Sequence, residues 1–166
     1  MFKAIVYSSN TGHTERYARM IGEKIGLPVL SLEEAKQKLE KGSKVIYMGW
    51  LMASSIVGYG AAKRKFDVRA VCGIGLCTTG ALLNEVRKTA RVPADIPLFT
   101  LQGGMDHEAL KGIYKNMIDV LIKVMTKKKS KSEDEQEMLS LIIKGGDYVR
   151  EENCTAFLEW YTSETR

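Results

Sequence analysis

The stretch Ser9-Asn10-Thr11-Gly12-His13-Thr14 decides the fold of this chain, because it separates two regular patterns. An apolar run from Phe2 to Tyr7 precedes it and predicts a buried strand, and a helical pattern begins near Thr14. The first backbone N–H groups of a helix have no intrahelical partner and carry the positive end of its dipole. A polar loop between a strand and a helix therefore suits a phosphate group.

The residue types in this loop support the phosphate interpretation. Ser9, Thr11 and Thr14 can each donate an O–H to a phosphate oxygen, and Gly12 has no Cβ to keep the backbone away from an anion. The loop contains no lysine and does not match the pattern of nucleoside triphosphate sites, so we expect a single phosphomonoester. The same residue types also form ordinary turns, and the alternative is that Thr11 or Asn10 only caps the helix.

Length and composition indicate one domain that spans residues 1–166, with a core in residues 1–104 and a helical tail in residues 105–166. The three cysteines are odd in number and form no C-x-x-C pair, which favours a reducing, cytoplasmic protein without zinc. The two histidines form no H-E-x-x-H motif, so we expect no metal site. The net charge of +5 favours an anionic partner, for which we expect lipid or protein and not nucleic acid.

Strand and helix patterns alternate along the core. Predicted strands cover Phe2–Tyr7, Leu27–Leu32, Lys44–Trp50, Val68–Leu76 and Pro97–Gln102, and predicted helices cover Thr14–Ile25, Glu33–Lys41, Ala61–Lys65 and Gly80–Ala90. This alternation predicts an α/β fold with a five-stranded parallel sheet of order 2-1-3-4-5 and a ligand at the carboxyl ends of strands one, three and four. A dinucleotide-binding fold is the alternative, but Gly73-x-Gly75 follows the fourth strand and lacks a third glycine.

The tail begins with a strongly periodic helix over Ala109–Met125 and continues with the lysine run Lys127–Lys131. We expect most of the apolar residues of this helix, Met117 among them, to pack on the sheet. If part of the stripe stays exposed beside the lysines, weak and salt-sensitive contact with an anionic membrane surface is possible in principle. A capping box at Ser132 starts another helix, and an amphipathic segment near Phe157 closes the chain.

The S-x-T-G-x-T pattern after an N-terminal strand, followed by Glu15, resembles the phosphate loop of flavodoxins. The resemblance implies a flavodoxin-like three-layer sandwich that holds the phosphate of FMN in this loop and the flavin ring between the loops after strands three and four. The cofactor-binding residues that it implies are Ser9, Asn10, Thr11, Gly12, His13, Thr14, Trp50, Leu51, Met52, Ala53, Gly75, Leu76, Cys77, Thr78, Thr79 and Gly80.

Individual side chains refine this expectation. Trp50 stands where flavodoxins often stack a tryptophan on the flavin, although it could equally be core at the end of its strand. Leu51 occupies the place of a glycine whose peptide flips in flavodoxins, which makes one-electron chemistry doubtful. Gly80 is expected to open a helix whose dipole favours an anionic ring. Cys77 is interpreted as a structural or flavin-contacting thiol and not as a redox thiol, because no resolving cysteine is nearby in sequence.

A second resemblance covers nearly the whole chain. The segment Leu101-Gln102-Gly103-Gly104, the Met-rich helix and lysine run, and the closing stretch from Gly146 to Trp160 are similar to the menaquinone-dependent protoporphyrinogen oxidase group. This implies an FMN-dependent oxidoreductase in which the flavin performs the chemistry, with a quinone as one possible redox partner. The alternatives are a soluble electron carrier that works with an electron-transfer protein, and a non-enzymatic FMN-binding or interaction module.

Overall fold

The computed structural model describes residues 1–165, except for the side chain of Asp134. Its strands are β1 (Ala4–Ser8), β2 (Val29–Ser31), β3 (Lys44–Met52), β4 (Ser55–Ile56), β5 (Asp67–Gly75), β6 (Leu98–Gln102), β7 (Gly104–Met105) and β8 (Gly146–Asp147). Its helices are α1 (His13–Ile25), α2 (Leu32–Lys38), α3 (Tyr59–Lys65), α4 (Leu83–Ala90), α5 (Ile113–Lys127), α6 (Glu133–Lys144) and α7 (Thr155–Glu164), with a 3₁₀ turn over Glu151–Cys154.

The protein is an α/β protein built on a mostly parallel sheet. The parallel strands lie in the order β2-β1-β3-β5-β6, and the short β4 pairs antiparallel with the end of β3. The prediction of five strands is wrong in count, because β4 adds a sixth strand to this sheet and β7 and β8 form a separate pair. Without the short β4, the five parallel strands lie in the order that the alternating pattern predicted. Right-handed crossovers leave few other strand orders for such a chain.

Apolar cores fill both faces of the sheet and make three layers. One face is covered by α2, α3 and α4, whose buried residues include Ala35, Ala62 and Val86. The other face is covered by α1 and α7, which contribute residues such as Ile21 and Phe157. The strands carry continuous apolar runs because both of their faces are buried in this arrangement.

The tail differs from its prediction at its first helix. Helix α5 begins at Ile113, four residues later than the periodic pattern indicates, after Gly112 with a φ of 64°. It packs against α6 through a small cluster that includes Leu110, Ile118 and Ile142. The expectation that most of its stripe packs on the sheet is wrong, since Met117 and several other apolar residues of α5 are exposed. No helix in the described part of the chain is long and apolar enough to cross a membrane.

Candidate functional site

The polar loop after β1 contains a glycine with positive φ directly before α1. Gly12 is the N-cap residue of α1 and has a φ of 102°, which glycine adopts without the strain that a side chain would bring. No side chain caps this helix terminus. A Cβ placed on Gly12 would meet no atom within 4 Å, so this side of the loop is open. The glycine is therefore required by its backbone conformation and not by a protein neighbour.

The polar side chains of the loop make other contacts instead of capping α1. The Oγ of Ser9 accepts a hydrogen bond from the Gly12 N–H at 3.1 Å, and the hydroxyl of Thr11 lies 2.9 Å from Nδ1 of His13. Asn10 accepts from the backbone N–H of Lys111 at 3.1 Å. The alternative in which Thr11 or Asn10 caps the helix is therefore wrong. Thr14, the last residue of the loop, is buried in the first turn of α1.

Other helices of the chain show what an ordinary cap looks like. The side chain of Ser31 accepts from the Glu34 N–H and completes a capping box at the start of α2, and Ser132 does the same for α6 with Glu135. These caps satisfy N–H groups that a helix terminus otherwise leaves without partners. Side-chain caps are not the rule in this chain, since α3, α4, α5 and α7 also begin without one.

The segment after the third parallel strand is a hairpin and not the predicted loop. β3 continues to Met52 and turns through Ala53 and Ser54, both at positive φ, into β4. Such a two-residue turn with positive φ at both positions matches the twist of antiparallel strands. The predicted ring-binding residues Trp50, Leu51, Met52 and Ala53 therefore lie on a regular hairpin at the carboxyl end of the sheet.

Trp50 and Leu51 face different surroundings on this hairpin. The ring of Trp50 is half-buried and lies edge-on to the ring of Tyr114 of α5, with centroids 4.7 Å apart. The side chain of Leu51 covers Gly73 and Gly75 of β5, where an added Cβ would approach it to 2.8 and 2.9 Å. Leu51 is paired with Ile56, and this ladder holds its backbone extended. The two glycines make room for a side chain and do not form a dinucleotide fingerprint.

The loop after β5 is held in place by β6. The Gly80 N–H donates to the carbonyl of Thr100 at 2.9 Å, the hydroxyl of Thr79 accepts from the Gln102 N–H at 3.0 Å, and the Gln102 side chain donates to the carbonyl of Leu76 at 3.0 Å. Cys77 and Thr78 are exposed at its tip. The expectation that Gly80 opens a helix is wrong, because α4 begins at Leu83 after two turn residues.

The tail joins all three predicted loops. Lys111 bonds to Asn10 of the first loop, and Tyr114 touches Trp50 of the second. Leu76 of the third loop packs against the cluster that contains Leu110 and Ile118. The carboxyl ends of β1, β3 and β5 are thus covered by the start of α5. Sequence reasoning missed Lys111 and Tyr114, because their roles depend on a fold of the tail that no local motif encodes. It also missed Gln102, because its contacts with Leu76 and Thr79 depend on how β6 lies beside the loop after β5.

Charged groups surround the phosphate-loop end of α1. Partial burial lowers the pKa of His13 more than the nearby Asp147 raises it, so its imidazole is neutral at neutral pH. Partial burial would raise the pKa of Asp147, but the Arg16 guanidinium, 2.6 Å away, holds it below its usual value. This ion pair connects the first turn of α1 to β8.

The buried cysteines are not reactive thiols. Burial raises the pKa of Cys154 to about 11 and raises that of Cys72 further, which keeps both thiols protonated. In residues 1–165, leaving Asp134 aside, no group of three His, Cys, Asp or Glu side chains could hold a metal ion. The carboxyl edge therefore offers hydroxyls, backbone N–H groups, an indole and a phenol as its binding groups.

Comparison of the chain with models of protein families, with curated proteins and with solved structures gave no match.

Proposed function

We propose that the protein binds FMN at the carboxyl edge of its sheet and acts as an FMN-dependent oxidoreductase of flavodoxin-like fold. The observation that carries the proposal is the loop before α1, where Gly12 adopts a φ of 102° with open space beside it, next to the hydroxyls of Ser9 and Thr11. These residues fit one phosphate group, because backbone N–H groups, hydroxyls and the helix dipole all favour an anion. The flavodoxin-like pattern of the loop supplies the identity of the ligand.

The remaining loops suit an aromatic ring system. Trp50 and Tyr114 offer two aromatic surfaces, and stacking on such surfaces adds roughly 0.5–1.5 kcal/mol beyond the burial of area. Thr78 and the backbone of the loop from Leu76 to Gly80 provide donors for the carbonyl edge of a flavin. In this arrangement the protein binds, orients and shields the cofactor, and the bound flavin supplies the electron-transfer chemistry.

The ladder position of Leu51 favours an oxidoreductase over a one-electron carrier. Its backbone is held in the β3–β4 hairpin, so its peptide is not free to adopt the conformations that a glycine accepts there. The electron donor and acceptor are proposed only by class, as a quinone or an electron-transfer protein. The protonated, buried thiols of Cys72 and Cys154 agree with a reducing, cytoplasmic location.

An absorbance spectrum and one pair of variants test the proposal. The purified protein, or the protein incubated with FMN and separated from free ligand, should show flavin absorbance bands. Thr11→Ala removes a hydroxyl at the phosphate site and should weaken FMN binding by roughly ten- to a hundredfold, because a hydrogen bond to a charged group contributes about 1.5–3 kcal/mol. Thr89→Ala, at an exposed threonine of α4, is the matched control and should bind FMN normally. A protein that retains no flavin contradicts the proposal.

A further inference from the structure

Helix α5 has an exposed apolar surface along one side. Five apolar side chains of this helix are exposed by between 37% and 68%, and we call them the outer stripe: Ile113, Met117, Val120, Leu121 and Val124. Their spacing of four, three, one and three residues places them on one continuous arc of about 100°. With a rise of 1.5 Å per residue, the outer stripe is about 16 Å long.

Helix α5 is firmly attached to the protein although its outer stripe is exposed. The inner face of α5, next to the outer stripe, is fixed to the rest of the protein, since Ile118 is buried in a cluster with Ile142 of α6 and the ring of Tyr114 lies edge-on to that of Trp50 on β3. The helix is thus held by its inner face and presents a second apolar face outward. Contact of such a face with water is unfavourable, so a partner that covers it gains the free energy of burying it.

Lysines border the outer stripe. On the helical wheel Lys123 and Lys127 lie along its polar side, and Lys129 follows at the end of α5. None of these lysines forms an ion pair with a side chain that the structure describes. Lys128 is paired with Glu135 at 2.6 Å, and Asp119 on the polar side of α5 is paired with His107 at 2.7 Å. The unpaired Lys123, Lys127 and Lys129 therefore supply positive charge along the border of the stripe.

We propose that the outer stripe and its lysines dock the protein on the surface of an anionic lipid bilayer, with α5 parallel to the membrane plane. An aliphatic face with lysines along its border matches an interfacial helix, whose apolar side enters the headgroup boundary while its cations meet anionic lipids. The charge of the partner follows from the unpaired lysines. The depth of insertion is limited to side chains, because the inner face of α5 remains packed on the protein.

The composition of the outer stripe favours lipid over a protein partner. Protein interfaces are enriched in aromatic residues, methionine and arginine and depleted in lysine, whereas this surface carries lysines and, apart from Met117, only Ile, Val and Leu. A second copy of the chain is also a poor occupant. Five side chains that are about half exposed fall short of the roughly 800 Å² per partner that a standard stable interface buries.

This proposal is independent of the cofactor, because it depends only on exposure and charge in the tail. Co-sedimentation of the full chain with vesicles tests it, using vesicles of phosphatidylglycerol and phosphatidylcholine in equal parts and vesicles of phosphatidylcholine alone. We expect binding to the anionic vesicles at low salt and its loss at 1 M salt, where the Debye length falls to about 3 Å. Equal binding to both kinds of vesicle, or no binding at low salt, overturns the proposal.

Two pairs of substitutions separate the apolar and charged contributions. Val120→Ser with Val124→Ser replaces two exposed valines of the outer stripe and should weaken vesicle binding by roughly tenfold or more. Lys127→Gln with Lys129→Gln should weaken it roughly thirtyfold at low salt. The control, Lys41→Gln with Lys88→Gln, makes the same change of charge at exposed lysines of the core and should bind like the unmutated protein.

The remaining outcomes count against lipid as the occupant. Unchanged vesicle binding in the valine pair, or an equal loss in the Lys41 and Lys88 control, would show that the outer stripe is not the docking surface. Sedimentation velocity without lipid gives the other test. A dimer that the valine pair abolishes would assign the stripe to a second copy of the chain and overturn the proposal.

Discussion

Gly12 shows how a backbone conformation determines which residue can stand at the start of a helix. Ser31 and Ser132 stand at the N-cap positions of α2 and α6 and close them with capping boxes, whereas α1 has a glycine at that position. A serine at position 12 would have offered a cap but would have been strained at a φ of 102°. Glycine at this position leaves the start of α1 without the stabilising hydrogen bond that a capping side chain would make.

A pair of glycine substitutions tests this conformational role. Gly12→Ala should lower the free energy of unfolding by about 1–2 kcal/mol, because alanine is strained at positive φ although no atom would clash with its Cβ. Gly60→Ala, inside α3 with only Arg64 within 4 Å, should raise stability by about 0.4–1 kcal/mol. Urea unfolding measures both values. A Gly12→Ala protein as stable as the unmutated protein would contradict the assigned backbone conformation.

His13 should make stability depend on pH near neutrality. Burial lowers its pKa in the folded protein, so the unfolded chain binds the proton more readily than the folded chain. The stability contributed by the neutral ring is complete above the unfolded pKa of about 6.5 and is lost as the pH falls through that value toward the folded pKa. His13→Gln should therefore show a smaller decrease in unfolding midpoint between pH 7.5 and pH 5.5. An unchanged decrease would exclude His13 as its source.

At the scale of elements, α5 connects parts of the molecule that are distant in sequence. Lys111, just before α5, bonds to the loop after β1, Tyr114 in its first turn touches the hairpin after β3, and its inner face packs on α6. The ends of the tail are tied to α1 by the Arg16–Asp147 and Lys24–Glu151 ion pairs, both at 2.6 Å and largely exposed. Such exposed pairs contribute little stability individually, so the aromatic and apolar contacts of α5 carry more of the attachment.

Tyr114 is the residue through which this element acts on the proposed cofactor site. Tyr114→Ala removes the aromatic surface beside Trp50 and should weaken FMN binding by about two- to tenfold, given the usual strength of aromatic contacts. Tyr114→Phe keeps the ring and is the matched control, for which we expect unchanged affinity. Calorimetric titration measures both affinities. Tighter FMN binding by Tyr114→Ala would show instead that the phenol ring occupies space that the flavin needs.

The long core elements could be predicted from sequence because their patterns are local. The continuous apolar run Val45-Ile46-Tyr47-Met48 is buried throughout in β3, and the periodic residues Tyr17 and Ile21 of α1 are buried as well. The β4 strand could not be predicted, since Ala53 and Ser54 are not typical residues for positive φ. The exposure of α5 entered the sequence analysis only as a condition, because periodicity identifies an apolar face and not what covers it.

The candidate site was predictable only in part for the same reason. The loop from Ser9 to Thr14 has a recognisable local pattern, and the structure places it at the start of α1 beside the hairpin that carries Trp50. Gly80 was assigned to a helix start because glycine before an apolar pattern resembles a cap, whereas its N–H binds Thr100 in β6. The contribution of the tail depends on contacts across about 100 residues, such as that between Asn10 and Lys111.

At the scale of the whole molecule, one edge of the sheet collects every group that the proposed function needs. The carboxyl ends of β1, β3 and β5 bring together three loops that are far apart in sequence, as parallel strands with right-handed crossovers require. The loop before α1 is the proposed anion site at one end of this edge, and the hairpin and α5 carry the aromatic side chains of Trp50 and Tyr114. The central claim is that the first loop binds the phosphate of FMN.

Calorimetric titration of the flavin-free protein with FMN and with riboflavin tests that claim most directly, because the two ligands share the ring and differ in the phosphate. If at least two charge-assisted hydrogen bonds hold the phosphate, FMN should bind at least about a hundredfold more tightly than riboflavin. Equal affinity for the two ligands, or no binding of either, would contradict the account and leave the loop as a structural turn.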